Sequence, residues 1–432
     1  MPLARGLHYF TEASNRDRGD TLVEVFDLVI RKARTRRSPS KLVDIAVKDG
    51  RIVKIEEGVK GKGEIEIDAK GRLVTESYVN PHLHMCKVYT FLMIGEESLR
   101  LYHEKGMGGA MTAIELAAEI KKKYHESWIY KNVRKAVLEA LKYGCTAIRA
   151  FVDTDTKAKL EGIKALLRVK NEFKNVMTIQ VVAFPQDGVI RDPGADEYIR
   201  KALEMGADVV GGIPWIEFTD EDAQKHIDIM FQLAKELNKD VAMLTDDAGD
   251  PGLRTTEMLA KKAIKEGWIG RVTACHARAM ALYPEPYFRK LVAIIKRAGM
   301  SVVSDPHTGP LHARVKDLLD QGVNVALGQD DIADAYYPYG RNHMLEVAFL
   351  ASHILWWTTL EGMEKIYDMV TTNAAKVMRL SNYGLCVGCE ANLVVLNVKS
   401  VYEAIWYQDV PRYVISRGKL VTENFIETKY YI

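Results

Sequence analysis

Between residues 79 and 380, short β-prone runs alternate with amphipathic helical patterns, and nothing else in the chain constrains its fold as strongly. The strand-like runs are Tyr78–His84, Ala147–Val152, Thr178–Phe184, Val209–Pro214, Val241–Thr245, Val272–His276, Ser301–Asp305 and Val323–Leu327. Helical periodicity falls between them, as in Lys131–Lys142, Thr156–Lys174, Asp222–Leu237, Thr255–Lys265 and Tyr287–Ala298. Eight such units predict an α/β fold class, a (β/α)8 TIM-type barrel of about 250 residues before insertions. Phe91–Glu126, after the first run, reads as a long helical insertion placed to shape or cover the barrel mouth.

Both flanks of this region have short β character. Val47–Ile52 reads as a hairpin with Asp49-Gly50 at its turn, Ile65–Ile67 alternates, and Lys70-Gly71 marks another turn. Ala391–Leu396 and Tyr413–Val421 repeat the pattern near the other end. The expected organisation is a small β-sandwich domain from residues 1–78 plus 381–432, around a barrel of residues 79–380.

Composition removes several function classes. Lys plus Arg number 60 and Asp plus Glu 58, so no charge excess favours nucleic acid or an acidic membrane. The basic run Arg31–Arg37 reads as a solvated loop. Five cysteines argue against a disulfide framework, and Cys386-Val387-Gly388-Cys389, a single CxxC, reads as chance spacing. With no signal-like start and no uncharged apolar run of about 18 residues, the expectation is a soluble cytoplasmic protein with no membrane partner. Dense Lys and Glu on the helices would suit a thermophile.

In a barrel of this kind the active site lies at the C-terminal ends of the strands. Those ends carry His82 and His84, Phe151 and Asp153, Gln186 and Asp187, Trp215 and Glu217, Asp246 and Asp247, His276, Asp305 and His307, and Asp330 and Asp331. Packing does not account for polar groups converging from so many strands. His82 and His84, two apart on a strand, share a face and can hold one metal ion through two imidazoles.

The ordered set of Val79–His84, Val182–Gly188, Gly206–Pro214, Val272–His276, Gly328–Pro338, Asn373–Ala375 and Tyr383–Leu385 resembles the cytosine deaminase branch of the metal-dependent amidohydrolases. The resemblance implies that His82, His84 and Asp330 bind the metal and that Asp330 also takes a proton from the metal-bound water. It implies that His276 contacts that water or the developing oxyanion; with the strand-five histidine missing, His276 is also a candidate to help hold the metal. Gln186 would read a substrate amide edge, with Asp331 and Tyr336 lining the pocket. On strand five, where that branch has a ligand histidine and a catalytic glutamate, this chain has Leu244 and Asp247. Phe151 and Trp215 stand where deaminases of the branch tend to have histidines. His307, His312, Asp246 and Asp247 are the substitute donors to consider, although the two histidines read more simply as loop residues.

The function expected from this resemblance is hydrolysis of a C–N bond, a deamination, in a nucleobase-like heterocycle by a metal-activated water. Asp330, Asp247 and His276 are the catalytic candidates, and Gln186, Asp331, Tyr336 and Trp215 the substrate-binding ones. One divalent ion, zinc or iron, is expected, because strand four offers no lysine that could bridge two metals. Two alternatives are a binding protein without turnover, and a hydrolase of a more apolar cyclic amide, the latter motivated by Phe151, Trp215 and Tyr336-Tyr337. Ile354–Trp357 offers apolar surface either to a second copy, giving a homo-oligomer, or to the barrel itself.

Overall fold

A computed structural model describes residues 24–432 apart from 95, 98, 101–103 and 105–109. Its centre is an eight-stranded parallel sheet: β6 (Tyr78–His84), β7 (Cys145–Asp153), β8 (Thr178–Phe184), β9 (Val209–Gly212), β10 (Asp240–Thr245), β11 (Val272–His276), β12 (Ser301–Ser304) and β13 (Val325–Leu327). Neighbours in sequence are neighbours in the sheet, the order of a (β/α)8 barrel. The first and last strands meet through an isolated bridge, Leu83 to Asp330. There the His84 N–H donates to Asp330 O at 2.8 Å, and the Asp330 N–H to His82 O at 3.0 Å.

Strand side chains sort by parity. In β7, Ala147 and Phe151 point into the barrel, while Ile148, Ala150 and Val152 face the helices. The buried Arg149 closes the interior, donating to Gln180, Thr273 and the Val377 carbonyl. The helices cover the outer face for the reason their periodicity predicts. In Glu285–Arg297, Phe288, Leu291, Val292 and Ile295 recur at helical spacing and are buried. In Asp220–Glu236, Thr219 Oγ1 caps the start by accepting the Asp222 N–H.

Two further four-stranded sheets flank the barrel. One runs β3 (Arg51–Glu56), β2 (Ser38–Lys48), β1 (Val25–Thr35), β4 (Lys62–Asp68). The other runs β16 (Lys419–Glu423), β15 (Tyr413–Ser416), β14 (Leu393–Val395), β5 (Val74–Glu76). Leu28, Ile30, Ile45 and Val47 of the first share a core with Val74, Leu393, Val395 and Ile415 of the second. Asp49 and Gly50 both take positive φ between β2 and β3, the geometry of a tight hairpin turn.

Several local expectations are corrected. The run Arg31–Arg37 is no loop: most of it lies in β1, Arg31 pairs with Asp44 and Glu66, and Arg36 with Glu364 and Asp368. Cys386 and Cys389 form a disulfide. The fourth strand stops at Gly212, because Pro214 has no N–H for the ladder and opens a 3-10 turn, Pro214–Ile216. Among the described residues, the insertion consists of short helical pieces, Phe91–Ile94, Ala110–Ala117 and Ala118–Lys123. Lys121, almost wholly buried, anchors it to Asp155 at 2.6 Å and Asp187 at 2.7 Å. No helix among the described residues is long and apolar enough to cross a membrane.

Candidate active site and metal centre

β6 carries His82 and His84 into the barrel mouth, where Phe151 packs on both rings, at 4.2 Å from His82 and 5.7 Å from His84. β11 delivers His276 and the segment after β13 delivers Asp330, both in the left-handed backbone region (φ 67° and 65°). Each such non-glycine residue costs of order 1–3 kcal/mol, a strain that tends to collect where a side chain must be aimed. The four side chains are buried, and their donor atoms lie within 4.8 Å of one another. From Asp330 Oδ1 the separations are 3.2 Å to His82 Nε2, 3.6 Å to His276 Nε2 and 3.8 Å to His84 Nε2.

These residues fit a metal ion. Zinc–ligand bonds of 2.0–2.1 Å place tetrahedral donors about 3.3 Å apart, close to the separations from Asp330. Both ring nitrogens of His82 are buried and have no hydrogen bond, a costly state unless something binds them. Burial drives His84 and His276 well below the usual histidine range, which keeps their rings neutral and their lone pairs available. Among the described residues this is the group of histidines, cysteines and carboxylates that could hold an ion.

A guanidinium borders the donors. Arg278, two residues past His276, donates through Nε to Asp247 at 2.7 Å and through Nη2 to Thr308 Oγ1 at 2.7 Å. Its Nη1 reaches the carbonyls of Asp305 and Leu311. Thr308 Oγ1 in turn donates to Asp330 Oδ2 at 2.7 Å. Burial pushes the Asp247 carboxyl up to about 7, with the Arg278 charge opposing. Burial and the neighbouring Asp330 likewise raise Asp331. Across the mouth, the buried Lys87 donates to Gln186 Oε1 at 2.8 Å and lies 5.1 Å from the Tyr336 ring centroid. Since Lys87 takes the amide oxygen, Gln186 presents its NH2 to the pocket. Ile114, Ile213 and Leu244 supply the apolar part of the wall.

Behind this wall a second buried constellation fixes the loop after β8. Glu217 accepts the N–H groups of Val189 (2.7 Å), Ile190 (3.1 Å) and Arg191 (3.0 Å), and lies 2.7 Å from His226 Nδ1. His226 Nε2 accepts the Ile213 N–H at 3.1 Å, so the ring carries its proton on Nδ1 and donates it to Glu217.

The model of the Amidohydrolase family matches residues 126–422. This chain belongs to the amidohydrolase family. The amidohydrolase is 33% identical over 404 residues to N-isopropylammelide isopropyl amidohydrolase of Pseudomonas sp. (strain ADP), covering 92% of this chain and 98% of that one. It is 24% identical over 402 residues to a pterin deaminase of Rhizobium rhizogenes, covering 88% of each. The structure of 5-methylcytosine deaminase from Klebsiella pneumoniae liganded with 5-fluorocytosine superposes with a TM-score of 0.84 at 30% identity, covering 93% of this chain and 99% of that chain. The family is one of enzymes, and these relatives are named as an amidohydrolase and as deaminases.

In this amidohydrolase the strand ends bring His82, His84, His276 and Asp330 together, with Asp247, Gln186, Asp331 and Tyr336 around the same pocket. Trp215, on the 3-10 turn that opens at Pro214, is buried in the same apolar cluster as Phe184, Ile213 and Leu244, behind the pocket wall that Ile213 and Leu244 supply. Of the substitute donors, Asp247 lines the pocket beside the cluster, whereas His307, His312 and Asp246 have other partners. His307 Nε2 is 3.2 Å from the Gln329 carbonyl, and His312 Nδ1 is 2.8 Å from that of Ala313. Asp246 caps the helix Thr255–Lys265, accepting from Thr255, Thr256 and Tyr283. Sequence reasoning assigned no part to Lys87, Arg278 or Thr308. Arg278 carried one usable signal, a cation two residues beyond a strand-end histidine, where burial would require partners.

Proposed function

We propose that this amidohydrolase hydrolyses a C–N bond of a nucleobase-like heterocycle, releasing an amine, with one divalent ion, zinc or iron, held by His82, His84, His276 and Asp330. The four-donor cluster at the mouth of the barrel carries this reading. A bound ion would supply Lewis-acid chemistry, lowering the pKa of a coordinated water toward neutrality. Asp330, held at Oδ2 by Thr308, keeps Oδ1 turned to the donor cluster, where it can take a proton. Asp247, with a carboxyl near 7, can both accept and return a proton close to neutral pH, as a shuttle to ring and leaving group requires. Gln186 NH2 suits a ring carbonyl or unprotonated ring nitrogen, Asp331 a ring N–H or amidine edge, and Tyr336 a flat face.

The apolar wall of Ile114, Ile213 and Leu244 favours a second reading, in which an alkylamine leaves in place of ammonia. That reading is also in keeping with the name of the Pseudomonas relative. One experiment tests both: protein from zinc- or iron-replete cells is analysed for bound metal, then assayed against aminopyrimidines, aminopterins and N-alkylated aminotriazines for ammonia and alkylamine release. Bound metal with release of either amine supports the proposal. Metal-free protein, or small-molecule binding with no product on long incubation, refutes it in favour of a binding protein.

A further inference from the structure

Lys87 ends the 3-10 turn Met85–Lys87 that follows β6, and its side chain is buried. Gln186 and Tyr336 line the pocket, and both meet its ammonium. We propose that Lys87 is a positioning residue that decides substrate choice. It locks the Gln186 amide with NH2 toward the pocket, so the enzyme takes heterocycles with a carbonyl oxygen on that edge and rejects those with an amino group there. This rests on the reading that the pocket hydrolyses a heterocycle.

A glutamine amide is ambivalent, since one end accepts and the other donates, and a half-turn exchanges them. Gln186 by itself would serve a carbonyl or an amino edge equally well. An ammonium has three donors and no acceptor, so the atom that Lys87 Nζ meets at 2.8 Å is Oε1. Turning the amide over would set NH2 against the ammonium and cost both buried groups a charge-assisted hydrogen bond. The ammonium is itself held. Asp153 Oδ1 lies 3.5 Å from it, and Tyr124 holds that carboxylate by donating to Oδ2 at 2.9 Å. The Tyr336 ring, with its centroid 5.1 Å from Lys87 Nζ, is placed by Asp334, whose Oδ1 accepts the N–H groups of Tyr336 at 2.9 Å and Tyr337 at 3.2 Å. One buried cation thus sets a hydrogen-bonding edge and a flat face in register, and acts on the substrate only through Gln186 and Tyr336.

The test compares kcat/KM within matched pairs that exchange one ring carbonyl for an amino group. The pairs are cytosine with diaminopyrimidine, pterin with diaminopteridine, and an isopropylamino-triazinedione with its diamino analogue. Wild type should favour the carbonyl member of the pair it turns over by roughly a hundredfold or more, because the amino member sets donor against donor. Lys87→Met frees the amide to turn and should lose roughly tenfold or more of that preference, with bound metal unchanged by elemental analysis. Gln186→Glu keeps the shape, gives Lys87 a carboxylate partner and offers the pocket an acceptor, so the preference should reverse. That variant also answers for Lys87→Met should the latter fail to fold. A merely structural lysine would lower kcat/KM for both members alike, so an unchanged ratio in Lys87→Met overturns the inference. So does a Gln186→Glu variant that still favours the carbonyl member, or a wild type that treats both members equally. Each of these leaves the proposed function standing. Amine release by wild type from no member of the three pairs overturns both.

Discussion

Removing the Glu217 carboxylate should destabilise the barrel at a point that also shapes its mouth. The carboxylate accepts three consecutive backbone N–H groups and the His226 imidazole, with its side chain fully buried. Burial alone would raise its pKa, but His226 and the N–H donors outweigh it and hold Glu217 below the usual range. Hydrogen bonds to a charged group contribute about 1.5–3 kcal/mol each, though four around one carboxylate do not add. Breaking a buried pair by removing one partner costs about 3–5 kcal/mol, because the surviving donors stay buried and unpaired. Glu217→Ala should therefore lose about 3–5 kcal/mol in urea unfolding at pH 7. The sign with pH follows from the depressed pKa: this contribution is present above the unfolded value near 4.5 and is lost as pH falls through the lower folded value. The difference between wild type and variant should thus shrink in acid. Gly188→Ala is an independent probe, since its Cβ would stand 2.8 Å from Glu217 Oε1 at a position with φ of 91°. A Glu217→Ala variant within about 1 kcal/mol of wild type at pH 7, the floor for one hydrogen bond, would refute the reasoning.

His84→Ala should abolish both bound divalent metal and amine release, measured by elemental analysis and turnover; metal retained at wild-type stoichiometry would count against the donor set. Lys121→Met leaves Asp155 and Asp187 without their shared cation, so thermal or urea unfolding should show a loss of about 3–5 kcal/mol. His343 is buried against Tyr143 with both ring nitrogens unbonded, and burial, then Arg341 and Lys142, lower its pKa to about 3. Only the unfolded chain binds its proton between pH 6.5 and 3, so stability should fall as pH drops through this window, by up to about 1.4 kcal/mol per pH unit. His343→Phe should flatten that slope, and an unchanged slope in urea titrations at several pH values would exclude His343 as its source.

The barrel was legible because parallel strands buried on both faces read as short apolar runs, and their helices announce one apolar stripe each. Tyr78–His84, Thr178–Phe184 and Val272–His276 end where their runs end. The strand-end rule also located His276 and Asp330 without knowledge of their neighbours. What stayed hidden depends on contacts between distant segments. Arg278 reads as an ordinary surface arginine until Asp247, Thr308 and two carbonyls are found around it. Lys87 looks exposed in sequence and is buried because Asp153 and Gln186 meet it. The strand before Trp215 ends two residues earlier than its apolar run, because Pro214 opens a 3-10 turn. The basic run misled because Arg31 and Arg36 find acids 13 and more than 300 residues away, which no local pattern records.

The barrel closes where its donors sit. The main chain joins its first and last strands between His82, His84 and Asp330, and Asn80 Oδ1 accepts the Gln329 N–H across 249 residues of sequence. An ion shared by those side chains would fasten the two ends of the ring together, so loading and mechanical closure would be a single event. Chelation should then loosen this seam before any other part of the barrel, and amide exchange at His84 and Asp330 would report occupancy without any substrate.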